Sequence, residues 1–432
     1  MATSANLGTP APAQNNSLSA IACVSSADCW AVGAYDSGGS IYQTLVEHWN
    51  GTSWTLPGSP NSSVTQTNQL GDVACASTSD CTAVGFYDSG GGVAQTLVEK
   101  WNGTSWSIVS SANVSPTQSS VLTGIACNSS SDCWASGAFL NGSVAQTLIE
   151  HWNGATWAIV SSPNTSGAQS NKLSGIACTS ASNCWAAGYY NNGTVDQTLV
   201  ERWNGTAWSI VASPNTSTSQ NDDLYGITCG SANDCWAVGA YSGTVQQTLT
   251  EHWNGTAWTI IASPNSSASL TNSLQRVACS SSSDCIAVGQ SGSTPAQTLI
   301  EQWNGAAWSI ATSANSDATH SNVLSGVACS GASDCWTVGE FSTSTFMQTL
   351  IEKRTLPLLL ITSVARPATG PMAGHFLITG KAVPNSTVNI QTSPDLIVSF
   401  GPLGSAASDV NGIFQYDDPP SSPKKFFRAT YP

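Results

Sequence analysis

The sequence predicts an all-β chain, a seven-bladed β-propeller followed by a small β-sandwich. Three observations predict it. One unit recurs seven times at intervals of 50 to 52 residues, each copy holds four strand-like runs separated by turn residues, and the stretch after the last copy has no internal match to the unit. The expected boundaries are residues 1–355 for the propeller and 356–432 for the sandwich.

The first copy shows the elements in order. Leu18 to Cys23 is the first strand, and Cys29 through Trp30-Ala31-Val32-Gly33 the second. The third is Gln43-Thr44-Leu45-Val46-Glu47-His48-Trp49, closed by Asn50-Gly51, a dipeptide suited to a tight hairpin in which both central residues take positive φ. A fourth strand opens with Trp54, and a Pro/Asn/Ser/Thr-rich stretch leads to the next copy. A sheet this small cannot bury both its faces alone. Seven in series do so by packing face to face around an axis, which favours a closed ring over an open solenoid.

This order of motifs resembles kelch-type propellers over about residues 18 to 354: a hydrophobic run ending in Gly33, a Gly/Ser loop, a strand ending in an aromatic residue, a polar turn and a Trp. The departures are plain. Gly33-Ala34 stands where that family has a double glycine, the turn between aromatics is shorter, and paired cysteines are not a kelch feature. The resemblance implies architecture only. Some kelch-like proteins are copper oxidases, but that chemistry needs a free Cys joined to Tyr and His ligands, which have no counterpart here, so neither cofactor nor metal is expected.

All 14 cysteines fall in pairs six residues apart: Cys23/Cys29, Cys75/Cys81, Cys127/Cys133, Cys178/Cys184, Cys229/Cys235, Cys279/Cys285 and Cys329/Cys335. Each pair is read as a disulfide across the first hairpin of its blade. Zinc would need about four converging ligands and each blade offers two. Closing such a loop stabilises a blade by roughly 2 kcal/mol in the chain-entropy account, and the pattern points to an oxidising, secreted or cell-surface setting. The segment Ala2 to Asn6 repeats Ala311 to Asn315, the end of a fourth strand. Met1 is therefore expected to replace an export signal, and the N-terminus to supply at least part of the edge of blade seven, whose copy departs from the repeat after Glu352. An edge left open there would recruit strands from other molecules.

Composition narrows the function. With 25 acidic against 11 basic residues the net charge is −14, which repels a phosphate backbone and disfavours nucleic acid. The longest apolar run, Leu356 to Ile361, is far short of the roughly 20 residues that span a bilayer, so no membrane insertion is expected.

Candidate chemistry rests on repeated polar and aromatic positions. Trp30, Trp134, Trp185, Trp236 and Trp336 follow the second cysteine and are read as blade packing, with sugar stacking as the alternative. Glu47, Glu99, Glu150, Glu201, Glu251, Glu301 and Glu352 share a strand face with the repeated Gln and are read as hydrogen-bonded structural carboxylates, with a cation-binding ring as the sharper reading. Asp28 and its counterparts are expected to serve turns, calcium being a weaker reading. His48, His151 and His252 share a position with Lys100, Arg202, Gln302 and Lys353, which suggests a solvated face. The Asn-Gly-Thr strings at Asn50, Asn102, Asn204 and Asn254 match glycosylation acceptors, but turn chemistry explains them.

The tail alternates apolar segments with turns: Phe376 to Thr379, Thr387 to Ile390, Leu396 to Phe400, Gly412 to Tyr416 and Phe426 to Tyr431. The strings Thr392-Ser393-Pro394-Asp395-Leu396, Asp409 to Phe414 and Phe426 to Pro432 resemble C-terminal immunoglobulin-like modules of secreted bacterial proteins, which implies a role in attachment or assembly. The expected function is a non-catalytic scaffold that presents loops to a glycan or an extracellular protein, or to further copies of itself in a filament or surface layer. The rival is a secreted polysaccharide lyase or glycosidase, which should break the repeat symmetry with ionisable residues on one face.

Overall fold

The computed structural model describes residues 4, 14–331, 334–355, 360–365, 376–381, 387–393, 401–407, 413–418 and 426–430. Two compact units divide the chain, Met1–Lys353 and Arg354–Pro432.

The first unit is the propeller. In blade one, β1 (Asn16–Ser25), β2 (Asp28–Asp36), β3 (Tyr42–Trp49) and β4 (Trp54–Thr55) form an antiparallel sheet in that order, and blades two to six repeat it. Burial explains the composition of each strand. β2 is buried almost throughout because neighbouring blades cover both its faces, so it reads as a continuous apolar run rather than an alternation. β4 buries Trp54 and exposes its next residue, as befits the outer edge. Every inner strand carries an irregularity near its third residue, between Leu18 and Ala20 in β1, of the kind that sharpens local twist.

The core lies between blades, not within them. Trp30, Val32 and Val46 of blade one pack on Leu70, Ala83, Leu97 and Trp106 of blade two. Equivalent clusters occupy the other interfaces, including the one where Trp336, Val338 and Ile351 of blade seven meet Leu18, Leu45 and Trp54 of blade one. A solenoid would leave that last interface unmade, so the ring is closed.

Blade seven has three described strands, Asn322–Gly331, Asp334–Ser342 and Met347–Thr355. Ser4 supplies the residue that normally follows a fourth strand. In blade one the Ser59 hydroxyl donates to Glu99 of blade two (2.8 Å) and bonds Thr44 of its own blade (2.8 Å). Ser4 likewise donates to Glu47 of blade one (2.8 Å) and bonds Thr349 of blade seven.

The turn after β3 differs from expectation. Trp49 pairs with Trp54, which leaves four residues in the loop, and only Gly51 takes positive φ (88°). Asn50 contributes its side chain instead, accepting bonds from the Thr52 and Ser53 backbone N–H groups at Oδ1, both at 3.0 Å.

The second unit contains two three-stranded sheets. One orders Leu360–Ala365, Phe376–Lys381 and Ile413–Asp418, the other Gly401–Ala407, Thr387–Ser393 and Phe426–Thr430. The expected strand at Leu396 to Phe400 lies outside the described residues.

Candidate functional site

Most repeated polar and aromatic residues are consumed in holding the ring together. Seven disulfides join directly opposed residues of the first hairpins: Cys23–Cys29, Cys75–Cys81, Cys127–Cys133, Cys178–Cys184, Cys229–Cys235, Cys279–Cys285 and Cys329–Cys335. Their Cα separations are 3.9 to 4.0 Å. The two ends of each bridge differ in environment. Cys29, Cys81, Cys133, Cys184, Cys235, Cys285 and Cys335 are at most 1% exposed, because each is the second residue of the second strand, which neighbouring blades cover on both faces. These seven are core residues packed among tryptophans and aliphatic side chains, not members of a ligand or thiol-exchange site: Cys81, for example, shares its cluster with Trp30 and Trp106, and Cys235 with Trp185 and Trp258. Their partners on the first strand are only partly buried. The spacing in sequence marks the pairs but not this asymmetry, which arises from the adjoining blade.

The five tryptophans that could have stacked on a sugar are not available to a ligand. Trp30, Trp134, Trp185, Trp236 and Trp336 are at most 2% exposed. Each wedges against tryptophans of the next blade where that blade is complete; Trp30, for instance, lies 4.6 Å from Trp101 and 5.3 Å from Trp106 between ring centroids. Their position on the doubly covered second strand leaves no free ring face.

The position of His48 is not a solvated face either. His48 stacks on Trp30 at 4.0 Å and bonds Asp28 at 2.8 Å. His151 and His252 pair with Asp132 and Asp234 at 2.7 Å, and Lys100 and Lys353 with Asp80 and Asp334 at 3.2 and 2.8 Å. The two exceptions are matched on both sides. Arg202 bonds Asn183 at 3.2 Å where the acid is missing, and Gln302 bonds Asp284 at 3.3 Å where the cation is missing. The repeated acids therefore serve a cross-strand pair rather than only a turn.

The glutamates lie at the interfaces. Glu99, Glu150, Glu201, Glu251 and Glu301 are fully buried, each accepting a serine hydroxyl from the preceding blade at one oxygen. Burial pushes the carboxyls of Glu99, Glu201, Glu251 and Glu301 up to about 8 and that of Glu150 to about 7, against the lowering effect of the hydroxyl bonds. Each acid is spent at a different interface, and among the described residues no three His, Cys, Asp or Glu side chains gather around a common point as metal ligands would.

Repeat symmetry breaks in blades four and five. The second residue of the inner strand is Ser17, Gln69, Val121, Ser273 or Val323 in five blades, but Lys172 in blade four and Asp223 in blade five. Lys172 pairs in register with Tyr189 and holds its ammonium 5.7 Å from that ring. Asp196 opens the third strand beside them, oriented by a bond from Asn191 Nδ2 (2.9 Å). With Val144 and Gln169 these residues line an open groove of about 320 Å³.

Blade five extends the cluster. Tyr225 donates to Asp223 (3.4 Å) and accepts from Gln246 (3.4 Å). Burial, then the nearby Asp196, pushes the Asp223 carboxyl up to about 6, while Tyr225 and Lys172 pull the other way. Burial and Asp223 raise the Tyr225 hydroxyl above its ordinary range. The groove thus offers one cation, the Asp196 carboxyl, amide donors and an aromatic ring on rigid strand ends, with Asp223 nearby, a set suited to gripping a polar ligand. Stacking the seven copies would have shown these residues as outliers, but not that they converge.

No protein-family model and no curated protein matches the sequence. Among solved structures the chain is similar to YCF48 bound to D1 peptide (10% identity, covering 80% of this chain and 95% of that one, TM-score 0.49). It is also similar to Sqt1 of Chaetomium thermophilum (8%, 85% and 93%, TM-score 0.47). A third is the six-bladed fucose-recognising lectin of Aleuria aurantia (14%, 64% and 88%, TM-score 0.43). At such identities the likeness is one of fold.

Proposed function

We propose that this chain is a non-catalytic binding protein of an oxidising, extracytoplasmic environment, and that its ligand is a glycan held in the groove of blade four. One observation carries the reading. The repeated side chains are occupied by the ring, whereas Lys172, Tyr189 and Asp196 converge on an open groove with hydrogen-bonding capacity to spare. A carboxylate, an ammonium, amides and an aromatic face are what a sugar's vicinal hydroxyls and apolar ring face require. The seven disulfides support a setting outside a reducing cytosol, and the C-terminal unit is read as an immunoglobulin-like sandwich used for attachment.

The rival enzymatic reading has one observation in its favour. Asp223, raised to about 6 beside Asp196, is a carboxyl able to keep a proton near neutral pH, as a glycosidase acid must. A polysaccharide panel scored for both retention and released sugars decides. Retention lost in Asp196→Asn and Tyr189→Ala with no product supports binding. Product formation overturns it in favour of hydrolysis, and no retention by any glycan rejects the glycan reading.

A further inference from the structure

A second break in symmetry lies on the ring axis and has no part in the groove. The fifth and sixth residues of the inner strands line the axis, and at the fifth position five blades carry Ala20, Gly124, Gly175, Gly226 and Gly326. Crowding explains Gly124, Gly226 and Gly326. A Cβ built on Gly124 would lie 2.9 Å from Gly175 Cα, and one on Gly326 2.8 Å from Ala20 Cα. Blades two and six place Asp72 and Arg276 at this same position, nearly opposite one another in the ring.

Residues of all seven blades line an axial cavity of about 120 Å³, among them Ile125, Ile176 and Ile227. Asp72 and Arg276 are the charged residues in its lining. Arg276 reaches across the axis, donating to the carbonyls of Tyr225 (2.6 Å), Gln275 (3.1 Å) and, three blades away, Thr123 (3.2 Å). Three of its five N–H groups are so engaged, leaving two donors. Asp72 accepts one backbone N–H at each oxygen, from Val73 (2.9 Å) and Ile125 (3.1 Å), and keeps further lone pairs. The two charges share this chamber, yet among the ion pairs of the described residues they form none with each other.

Opposite charges on the wall of one cavity, with no ion pair between them, leave two donors on Arg276 and lone pairs on Asp72 for a bridging ligand. A simple anion would satisfy Arg276 and meet Asp72; a simple cation would do the reverse. A neutral solute leaves both charges uncompensated. We propose that the axial cavity binds a small zwitterion of the α-amino acid class, its carboxylate on Arg276 and its ammonium on Asp72. The volume has room for about four waters, which limits the ligand to the smallest members, glycine, alanine and serine.

The test is calorimetric titration of the full chain with glycine, L-alanine and L-serine, and with acetate and methylamine as half-ligands. Binding of at least one amino acid at least tenfold tighter than either half-ligand is expected. Asp72→Asn, which keeps the shape and removes the charge, should weaken the amino acid tenfold or more and strengthen acetate. Arg276→Lys, checked for folding by circular dichroism, should weaken the amino acid and leave glycan retention in the groove unchanged. If no amino acid binds the folded wild-type chain, the cavity holds water only and the proposal falls. It falls equally if half-ligands bind as tightly as amino acids, or if Asp72→Asn leaves their ranking unchanged.

Discussion

Replacing Asp222 by asparagine should stabilise the propeller. The position opens the inner strand, and in blade two it is Asn68, whose Oδ1 accepts from the Ser62 backbone (2.9 Å) and hydroxyl (2.7 Å). Its Nδ2 donates to the carbonyls of Ser63 (2.9 Å) and Gln66 (2.8 Å), which closes the connection between blades. Asn171, Asn272 and Asn322 repeat the arrangement. Asp222 keeps the accepting half, from the Thr216 backbone and hydroxyl, but its Oδ2 is buried without a partner. An oxygen stands where an amide should donate.

Asp222→Asn restores two hydrogen bonds at about 1 kcal/mol each, so a gain of about 2 kcal/mol is expected at neutral pH. The gain should depend on pH. Burial raises the folded carboxyl above its ordinary value of 3.8, with the Thr216 bonds opposing. Its protonated form is therefore favoured by folding, and the stability it contributes is whole below 3.8 and lost as pH climbs through the raised value. Wild type thus suffers most at alkaline pH. Urea unfolding at pH 4 and pH 8 measures the difference. An unchanged or lower midpoint for the variant at pH 8, or an equal gain at both pH values, would refute the reasoning.

The interface glutamates predict a wider trend: with carboxyls raised from 4.5 to about 8, Glu99, Glu201 and Glu301 stabilise the fold below pH 4.5 and lose that contribution as pH rises through 8. Glu99→Gln should flatten the fall of stability between pH 5 and pH 9 by on the order of 3 kcal/mol, read from denaturation midpoints across that range. Ser4→Ala should cost about 1 kcal/mol by removing the hydroxyl that ties blade seven to Glu47. Ser313→Ala, the same latch between blades six and seven, should cost a similar amount, and a silent Ser4→Ala beside a costly Ser313→Ala would show that the N-terminus does not close the ring.

Much of the propeller was legible in the sequence because its information is periodic. The 50 to 52 residue interval, the cysteine pairs and Ser4 mark blades, hairpins and the hydroxyl that reaches Glu47. Local spacing determines these features, since strand alternation and hairpin length need no knowledge of distant neighbours. Burial was less legible. The tryptophans after the second cysteine and the residues at the His48 position look alike in sequence whether they face solvent or a neighbour, and only blade-on-blade packing made them a buried wedge and a stacked, paired side chain.

By itself, then, the sequence determined how many sheets form, where each begins and which cysteines join. Tertiary structure alone decided which departures from the repeat belong together. Lys172 and Asp223 are 51 positions apart and Asp72 and Arg276 are 204 apart, so no local pattern relates them. They come to share a site because a closed ring turns equal steps along the chain into equal angles about an axis, bringing neighbouring blades side by side and opposite blades face to face across the channel.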